Sequence, residues 1–227
     1  MVDIFERNRL LLGEDNFTKL QSKKVLVLGL GGVGGTCLIA LARSGVGALG
    51  IVDFDVVSAS NINRQILFTS KDIGRGKVEV ALEYISSLDI DTHVYPIMRK
   101  IDESFFLDHD VSDYDFVIDA IDDLDAKVMV ASYCLEHHVP FLSSLGMANR
   151  LDASKVSITR LDKTHDDPLA KKFRYLLRQK GIDLKQVEVA WSSEIPLVKG
   201  VIPASMMMVP SSAGLVLASK CISSLIK

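Results

Sequence analysis

The chain is short of the features that staple, anchor or broadly charge a protein. It has three cysteines, Cys37, Cys134 and Cys221, odd in number and far apart. No Cys-x-x-Cys pair occurs, which argues against a disulfide framework and against a four-cysteine zinc site. Reduced thiols in a cytoplasmic setting are the plain reading. There is no excess of positive charge: the formal net charge is −3, so nothing draws the whole molecule to nucleic acid or to an anionic membrane. A local basic patch is still allowed. The opening "MVDIFERNRLLLGEDNF" is broken by acids and arginines before any apolar core forms, so it does not read as a signal peptide. The apolar "GLVLASKCISSLI" falls short of the ~20 residues that span a bilayer and contains Lys220. It reads as a buried terminal helix. Repeats, low-complexity tracts and an obvious linker are also missing.

What is present suits one domain with a sizeable core: 227 residues, 48% of them apolar. Val25–Leu28 is a buried strand running into glycine. Gly35 to Ser44 then reads as a helix, and "GVGALGIVDFD" as the return strand. Gly74 to Leu88 has helical spacing, with Val78, Leu82, Ile85 and Leu88 on one face. "HVYPIM" reads as a strand placed at an edge by Pro96. "YDFVIDAID" is a strand, Ala126 to His137 a helix, and "PFLSSLG" and "KVSITRL" further strands. Asp166 to Gly181 is a helix with an acid before Pro168 and a terminating glycine. Met206 to Met208 and the segment after Pro210 read as core. Strands alternating with helices predict an α/β, doubly wound, Rossmann-like sheet, mostly parallel, with helices on both faces and a C-terminal extension.

Gly29, Gly31, Gly32 and Gly34 form G-x-G-G-x-G between strand and helix. Missing side chains let backbone N–H groups approach phosphate, and a helix N-terminus favours the negative charge. Asp53 ends the next strand about twenty residues on, where a carboxylate can accept ribose hydroxyls. This pattern allows NAD and ATP alike. The following stretch, "DFDVVSASNINRQILF", adds Asp55, Ser60, Asn61, Asn63, Arg64 and Gln65. Arg64 can grip phosphate through its planar fork, and Asn61 and Gln65 can orient it or contact phosphate oxygens. Lys77 follows in "GRGKVEV" as a point charge. Two cations beside a glycine loop suit a triphosphate better than a pyrophosphate already held by backbone. Asp122 and Asp123 follow the strand "FVIDA", where a carboxylate faces the ligand crevice and can hold Mg²⁺.

"GLGGVGG", "DFDVVSASNINRQ", "GRGK" and "DAIDD" together resemble the adenylation domain shared by MoeB, ThiF and ubiquitin-activating enzymes. The resemblance implies binding of MgATP and adenylation of a carboxylate with release of pyrophosphate. It implies that Gly32 lies against the nucleotide and that Asp53 takes the ribose. Asn61, Arg64 and Lys77 would hold phosphates, and Asp122 would coordinate Mg²⁺. Asp55 would be a further polar contact. "FERNRLLLG" resembles the N-terminal segment whose arginine completes the other subunit's site in a homodimer. Arg7 fits that position, with Arg9 as the alternative. The expected nucleotide set is thus Gly29, Gly31, Gly32, Gly34, Asp53, Asp55, Ser60, Asn61, Asn63, Arg64, Gln65, Lys77, Asp122 and Asp123. Arg64, Lys77, Asp122 and an Arg7 acting in trans are the expected catalytic residues. The implied organisation is a dimer segment at about 1–22, a nucleotide-binding core at about 23–146 and a substrate part at about 147–227.

The second half narrows the resemblance. MoeB and ThiF carry paired Cys-x-x-Cys zinc ligands, which this chain does not have. "LDKTHDDPLAKKFR", "VAWSSE" and "ASMMMVPSSAGLVLAS" instead resemble the tRNA threonylcarbamoyladenosine dehydratases. That branch implies a tRNA substrate, ATP-driven activation of the threonylcarbamoyl carboxylate, and ring closure with net loss of water. Many relatives have a cysteine just before the segment matching "AWSSE"; here Val189 stands there, and none of the three cysteines replaces it. The substrate's own nitrogen or oxygen can attack during cyclisation, so a dehydratase tolerates the change. A sulfur-transfer activator tolerates it poorly. The alternative substrate is a ubiquitin-like or sulfur-carrier protein C-terminus. A NAD-dependent oxidoreductase would leave Arg64 and Lys77 redundant, and a non-catalytic nucleotide scaffold would not need the full Arg64, Lys77 and Asp122 set.

Among the remaining residues, Lys171, Lys172, Arg174 and Arg178 make the 168–181 helix basic. They read either as tRNA phosphate contacts or as a solvated face. Trp191 and Phe173 read as core or dimer contacts as readily as stacking platforms. His137–His138 close a helix, where cations oppose the dipole favourably. His165 belongs to the site-like loop "THDDP".

Overall fold

The structure is a computed structural model that describes residues 3–198, Gly200 and 203–227. The first two residues of the expected N-terminal segment lie outside these. Two short helices come first, α1 (Glu6–Leu12) and α2 (Glu14–Gln21). Then follow β1 (Lys24–Leu28), α3 (Gly32–Arg43), β2 (Ala48–Val52), α4 (Lys77–Ser86), β3 (His93–Ile97), α5 (Glu103–Asp108), β4 (Phe116–Asp119), α6 (Leu124–Glu136) and β5 (Phe141–Ser144). The last elements are β6 (Val156–Arg160), α7 (Pro168–Gln179), β7 (Glu188–Ser192) and α8 (Met208–Leu225). One seven-stranded sheet has the order β3-β2-β1-β4-β5-β7-β6. All neighbours pair in parallel except β6 and β7, which are antiparallel.

Strand alternation assigns the two faces. In β1, Val25 and Val27 join the core formed with α3, α4 and α8. Leu26 and Leu28 join the core formed with α5, α6 and α7. Successive side chains point to opposite faces, so a strand covered on both sides must be apolar throughout. The expected doubly wound α/β sheet is therefore the observed one, with Pro96 in the edge strand β3.

Three expectations change. The α3 helix begins at Gly32 rather than Gly35, because the glycine turn is itself the first helical turn. "VAWSSE" forms β7, inserted between β5 and "KVSITRL", which turns β6 antiparallel at the edge. Met206, Met207 and Met208 are not core but exposed. They precede or open α8, and burial begins only with Val209. From there α8 is a core helix, with Ala213, Leu217 and Cys221 fully buried and the Thr36 hydroxyl 3.2 Å from that of Ser211. Its length and composition would also suit a membrane span, but its packing is against α3 and the sheet.

The turn between β1 and α3 depends on two glycines. Gly29 has φ +85°, and a β-carbon there would lie 2.8 Å from the Ala120 carbonyl oxygen. A β-carbon on Gly34 would run into the Gly29 carbonyl oxygen. Gly31 has open space instead, its nearest neighbour being the Gln65 amide at 3.8 Å. Gly34→Ala is therefore expected to destabilise the fold by about 1–3 kcal/mol, seen as a lower Tm in thermal unfolding. Gly31→Ala should leave Tm almost unchanged. Burial raises the pKa of Cys37, Cys134 and Cys221, and a buried thiol is a poor nucleophile. An aromatic disulfide reagent at pH 8 should titrate none of the three in the native protein and all three in denaturant.

Candidate active site

The strand order reverses between β1 and β4, and ligands of open α/β sheets bind outside the carboxyl ends of the strands at such a point. A cavity of about 540 Å³ lies there. The turns after β1, β2, β4 and β5 line it, closed on one side by Arg64 and Gln65 and on another by Ser205 and Pro210.

Asp53 is buried and holds two turns together. Its Oδ2 accepts from the Leu30 N–H at 2.7 Å, inside the glycine turn, and its Oδ1 accepts from the Asp55 N–H at 2.9 Å. Lys77, the first residue of α4, is buried as well. Its ammonium donates to Asp55 Oδ2 at 2.7 Å and stands 3.8 Å from Asp53 Oδ2. A cation at a helix N-terminus opposes the dipole, and the two aspartates offset that cost. Arg64 is half-buried and follows a short 3₁₀ turn. Its Nη1 donates to the Ser60 carbonyl and, at 2.9 Å, to Asn63 Oδ1. Gln65 is buried, and its Oε1 is a buried side-chain acceptor with no partner among the described residues.

Gly29, Gly31, Gly32, Asp53, Asp55, Ser60, Arg64, Gln65, Lys77, Asp122 and Asp123 all line this cavity. Gly34, Asn61 and Asn63 do not. Gly34 lies inside the first turn of α3, where it packs on Gly29. Asn61 caps its own 3₁₀ turn by accepting from the Ser58 N–H at 3.0 Å. Asn63 donates to the Ser205 carbonyl at 2.9 Å and so ties this segment to the chain leading into α8. Lys77 is buried between carboxylates rather than facing solvent, because α4 starts directly beneath Asp53.

Arg7 is exposed on α1 and is not brought to this cavity. The Asn8 side chain donates to the Arg43 carbonyl, at the far end of α3. Twelve helical residues, about 18 Å, separate that end from the glycine turn. Arg9 is engaged inside the chain: it pairs with Asp3 at 3.1 Å and lies 4.3 Å over the Phe17 ring. Arg7 has no ion pair or side-chain hydrogen bond among the described residues.

Several wall residues left no motif in the sequence. The most telling group stands behind the wall. Asp119, Lys127 and Ser143 come from β4, α6 and β5, and all three are fully buried. Lys127 Nζ donates to Asp119 Oδ2 at 2.7 Å, and the Ser143 hydroxyl donates to the same oxygen at 2.5 Å. Asp119 Oδ1 accepts from the Ile121 N–H at 3.1 Å. This fixes the turn that presents Asp122, while Asp123 caps α6 through the Asp125 and Ala126 N–H groups. Arg150 is a second hub: it donates to the carbonyls of Gly146, Glu194 and Asp166, shaping the wall after β5. The eight-residue spacing of Asp119 and Lys127 could have been noticed, since a strand-end acid and a lysine in the first turn of the next helix can meet. Arg150 gave no such signal.

Val189 is fully buried in β7, paired with Ser143 on one side and Thr159 on the other. The paired carboxylates of the cavity are not joined by a third ligand: no cluster of three or more His, Cys, Asp or Glu residues suited to a metal is found among the described residues.

Comparison with known proteins agrees with this geometry. The ThiF family model matches residues 5–216. The tRNA threonylcarbamoyladenosine dehydratase of Bacillus subtilis is 35% identical, over 100% of this chain and 96% of that protein. The protein of the same name from Escherichia coli is 33% identical, over 74% of this chain and 63% of its own length. The crystal structure of the E. coli enzyme in complex with ATP superposes with a TM-score of 0.93 at 29% identity, covering 98% of this chain and 93% of that one. With the match running almost end to end around the cavity, the chain belongs to the ThiF family, in the branch of the tRNA threonylcarbamoyladenosine dehydratases.

Proposed function

We propose that this protein uses ATP to activate the carboxylate of a threonylcarbamoyl group carried by a tRNA adenosine. The group then closes into a ring with net loss of water. The carboxylate oxygen attacks the α-phosphorus and pyrophosphate leaves. A nitrogen or oxygen of the same substrate then attacks the acyl carbon, loses its proton, and AMP departs with the original carboxylate oxygen. No enzyme nucleophile is required, which accords with three buried thiols and with valine at 189.

The observation that carries this reading is the cavity wall itself. An open glycine cradle at Gly31, an unpartnered Gln65 acceptor, the Arg64 guanidinium and the Lys77 ammonium face one space. The loop N–H groups, the guanidinium and the ammonium are fixed donors of the kind that stabilise charge building on phosphate oxygens without reorganising, and the Gln65 oxygen is a buried acceptor open to a ligand N–H or O–H. Asp53 is assigned to the ribose. Asn61 and Asn63 are assigned to holding the segment that presents Arg64.

Charge on the wall supports two further parts. Asp53, Asp55, Asp122 and Asp123 oppose Arg64, Lys77, Arg99 and Lys100, four against four. A triphosphate therefore meets no net positive charge from its own chain. Mg²⁺ held by Asp122, with Asp123 beside it, would supply part of it; Mg²⁺ commonly takes one or two carboxylates plus substrate phosphates. When bound it would polarise phosphate oxygens. Arg7 of the partner subunit in a homodimer would supply the rest. Leu10 and Leu11, 80% and 84% exposed on the same helix as Arg7, are apolar surface that a second copy would cover. Free cysteines and a tRNA substrate support a cytoplasmic setting. Activation of a carrier-protein C-terminus is the less favoured substrate reading, because the full-length match is to a tRNA enzyme.

The deciding experiment is mass spectrometry of nucleosides from threonylcarbamoyl-bearing tRNA incubated with the protein and MgATP. The modified adenosine should become lighter by one water, with ATP and not without it. An unchanged nucleoside would overturn the reading. Arg64→Ala should lower kcat/KM by about 10²–10³-fold, as removal of one oxyanion donor does, with Tm preserved. Lys77→Ala should lose as much activity and also lower Tm, because it leaves Asp53 buried without its cation. Co-expressing the Arg7→Ala and Lys77→Ala chains should restore about a quarter of wild-type activity through mixed dimers with one complete site each. No restoration would rule out completion in trans.

A further inference from the structure

We propose that the outer face of α7 is the surface that grips the tRNA beside the modified adenosine; this rests on the tRNA reading above. α7 contains four cations, Lys171, Lys172, Arg174 and Arg178, and no acid. Arg174 is spent inside the fold, donating to the Thr164 carbonyl at 2.9 Å. Lys171, Lys172 and Arg178 are exposed and form no ion pair among the described residues. The acids around them are already engaged. Asp162 pairs with Arg160, Asp166 with His165, and Asp167 caps α7 while facing Arg150. Other exposed cations, such as Lys19, Lys71 and Lys155, also form no ion pair among the described residues, but they stand singly, whereas α7 carries three on one acid-free helix. An unmatched row on a chain of net charge −3 is the surface that attracts a polyanion.

Its place ties it to the reaction. α7 starts at the mouth of the cavity: Leu169 lines the wall, and Asp167 accepts from the Gly146 N–H at 3.1 Å. From there the helix leads away. Lys171, Tyr175 and Arg178 stand at i, i+4 and i+7 on one face, with Lys172 next to them. Seven residues span about 10 Å along the axis, a reach that covers neighbouring phosphates of an RNA strand whose target base has entered the cavity. Tyr175 is 60% exposed in the middle of the row. An exposed ring between cations is the arrangement on which an unstacked loop base can rest.

The test is the triple variant Lys171→Gln, Lys172→Gln, Arg178→Gln, with Tyr175→Ala made separately. All four residues are exposed, and glutamine is a good helix former. KM for threonylcarbamoyl-bearing tRNA should rise about tenfold or more near physiological salt, as expected for three lost phosphate contacts. kcat at saturating tRNA should stay within about twofold and KM for ATP should not move, the pattern of lost uniform binding. In filter binding, the slope of log K against log salt should become shallower by about 2, from ~0.7 per phosphate contact. The arginine variant Lys171→Arg, Lys172→Arg should bind tRNA as wild type does. Unchanged tRNA KM and salt slope in the triple variant, with the wild type active on tRNA, would overturn the α7 surface and leave the dehydratase reading intact. A wild type inactive on tRNA but active in pyrophosphate exchange on a carrier-protein C-terminus would overturn both.

Discussion

The cavity depends on one buried ion pair. Lys127 and Asp119 are both fully buried, and together with Ser143 they bind β4, α6 and β5 at a single carboxylate oxygen. Desolvating two such charges is expensive, and their attraction repays it only when the remaining hydrogen bonds are made. On the aspartate they are: its second oxygen holds the Ile121 N–H, while the Lys127 ammonium, bonded to Asp119, stands 5.9 Å from the Phe173 ring centroid. The gain is positional. The turn from Asp119 to Asp123 carries the carboxylates on the cavity wall, and its Ala120 carbonyl presses on Gly29. One lock thus sets the distance between the glycine turn and the acidic turn across the switch point of the sheet. Losing either charge would leave the other stranded in the interior, so the two residues depend on each other more than either does on solvent.

Much of the fold was legible because the central strands are apolar on both faces. "VLVL" and "FVID" announce buried strands, and glycine after Leu28 announces the turn. The same logic hid β7. "EVAWS" is short, holds one tryptophan, and only becomes a strand when β5 and β6 are there to pair with it. Met206 to Met208 misled for a related reason. Apolar character shows that a residue can be buried, not that the chain has reached the core at that point.

In the site, chemistry was easier to read than division of labour. The cluster Ser60–Gln65 reads as one binding patch. In three dimensions Arg64 and Gln65 face the cavity while Asn61 and Asn63 fasten the backbone that carries them. Asn61 satisfies a local backbone group and Asn63 a distant one at Ser205, roles that a string of letters does not separate from ligand contact. The glycine motif divides in the same way: Gly31 leaves space, and Gly34 removes a collision. Arg150 shows the opposite case, a residue with no motif whose guanidinium joins three backbone segments at the cavity edge.

The packing of α8 on α3 has a consequence for biogenesis. The partner surface of residues 32–43 is not made until residues 208–225 have been synthesised, and Thr36 meets Ser211 across that interval. At typical synthesis rates the wait is roughly 10–30 seconds. During that time the nascent nucleotide-binding half has Val33, Thr36 and Cys37 of α3 without the cover that Gly214 of α8 gives them. Closing such a long-range contact is slow in entropic terms. The ribosome-bound intermediate is therefore an exposed apolar species, a natural client for chaperones that shield hydrophobic surface until the last helix emerges.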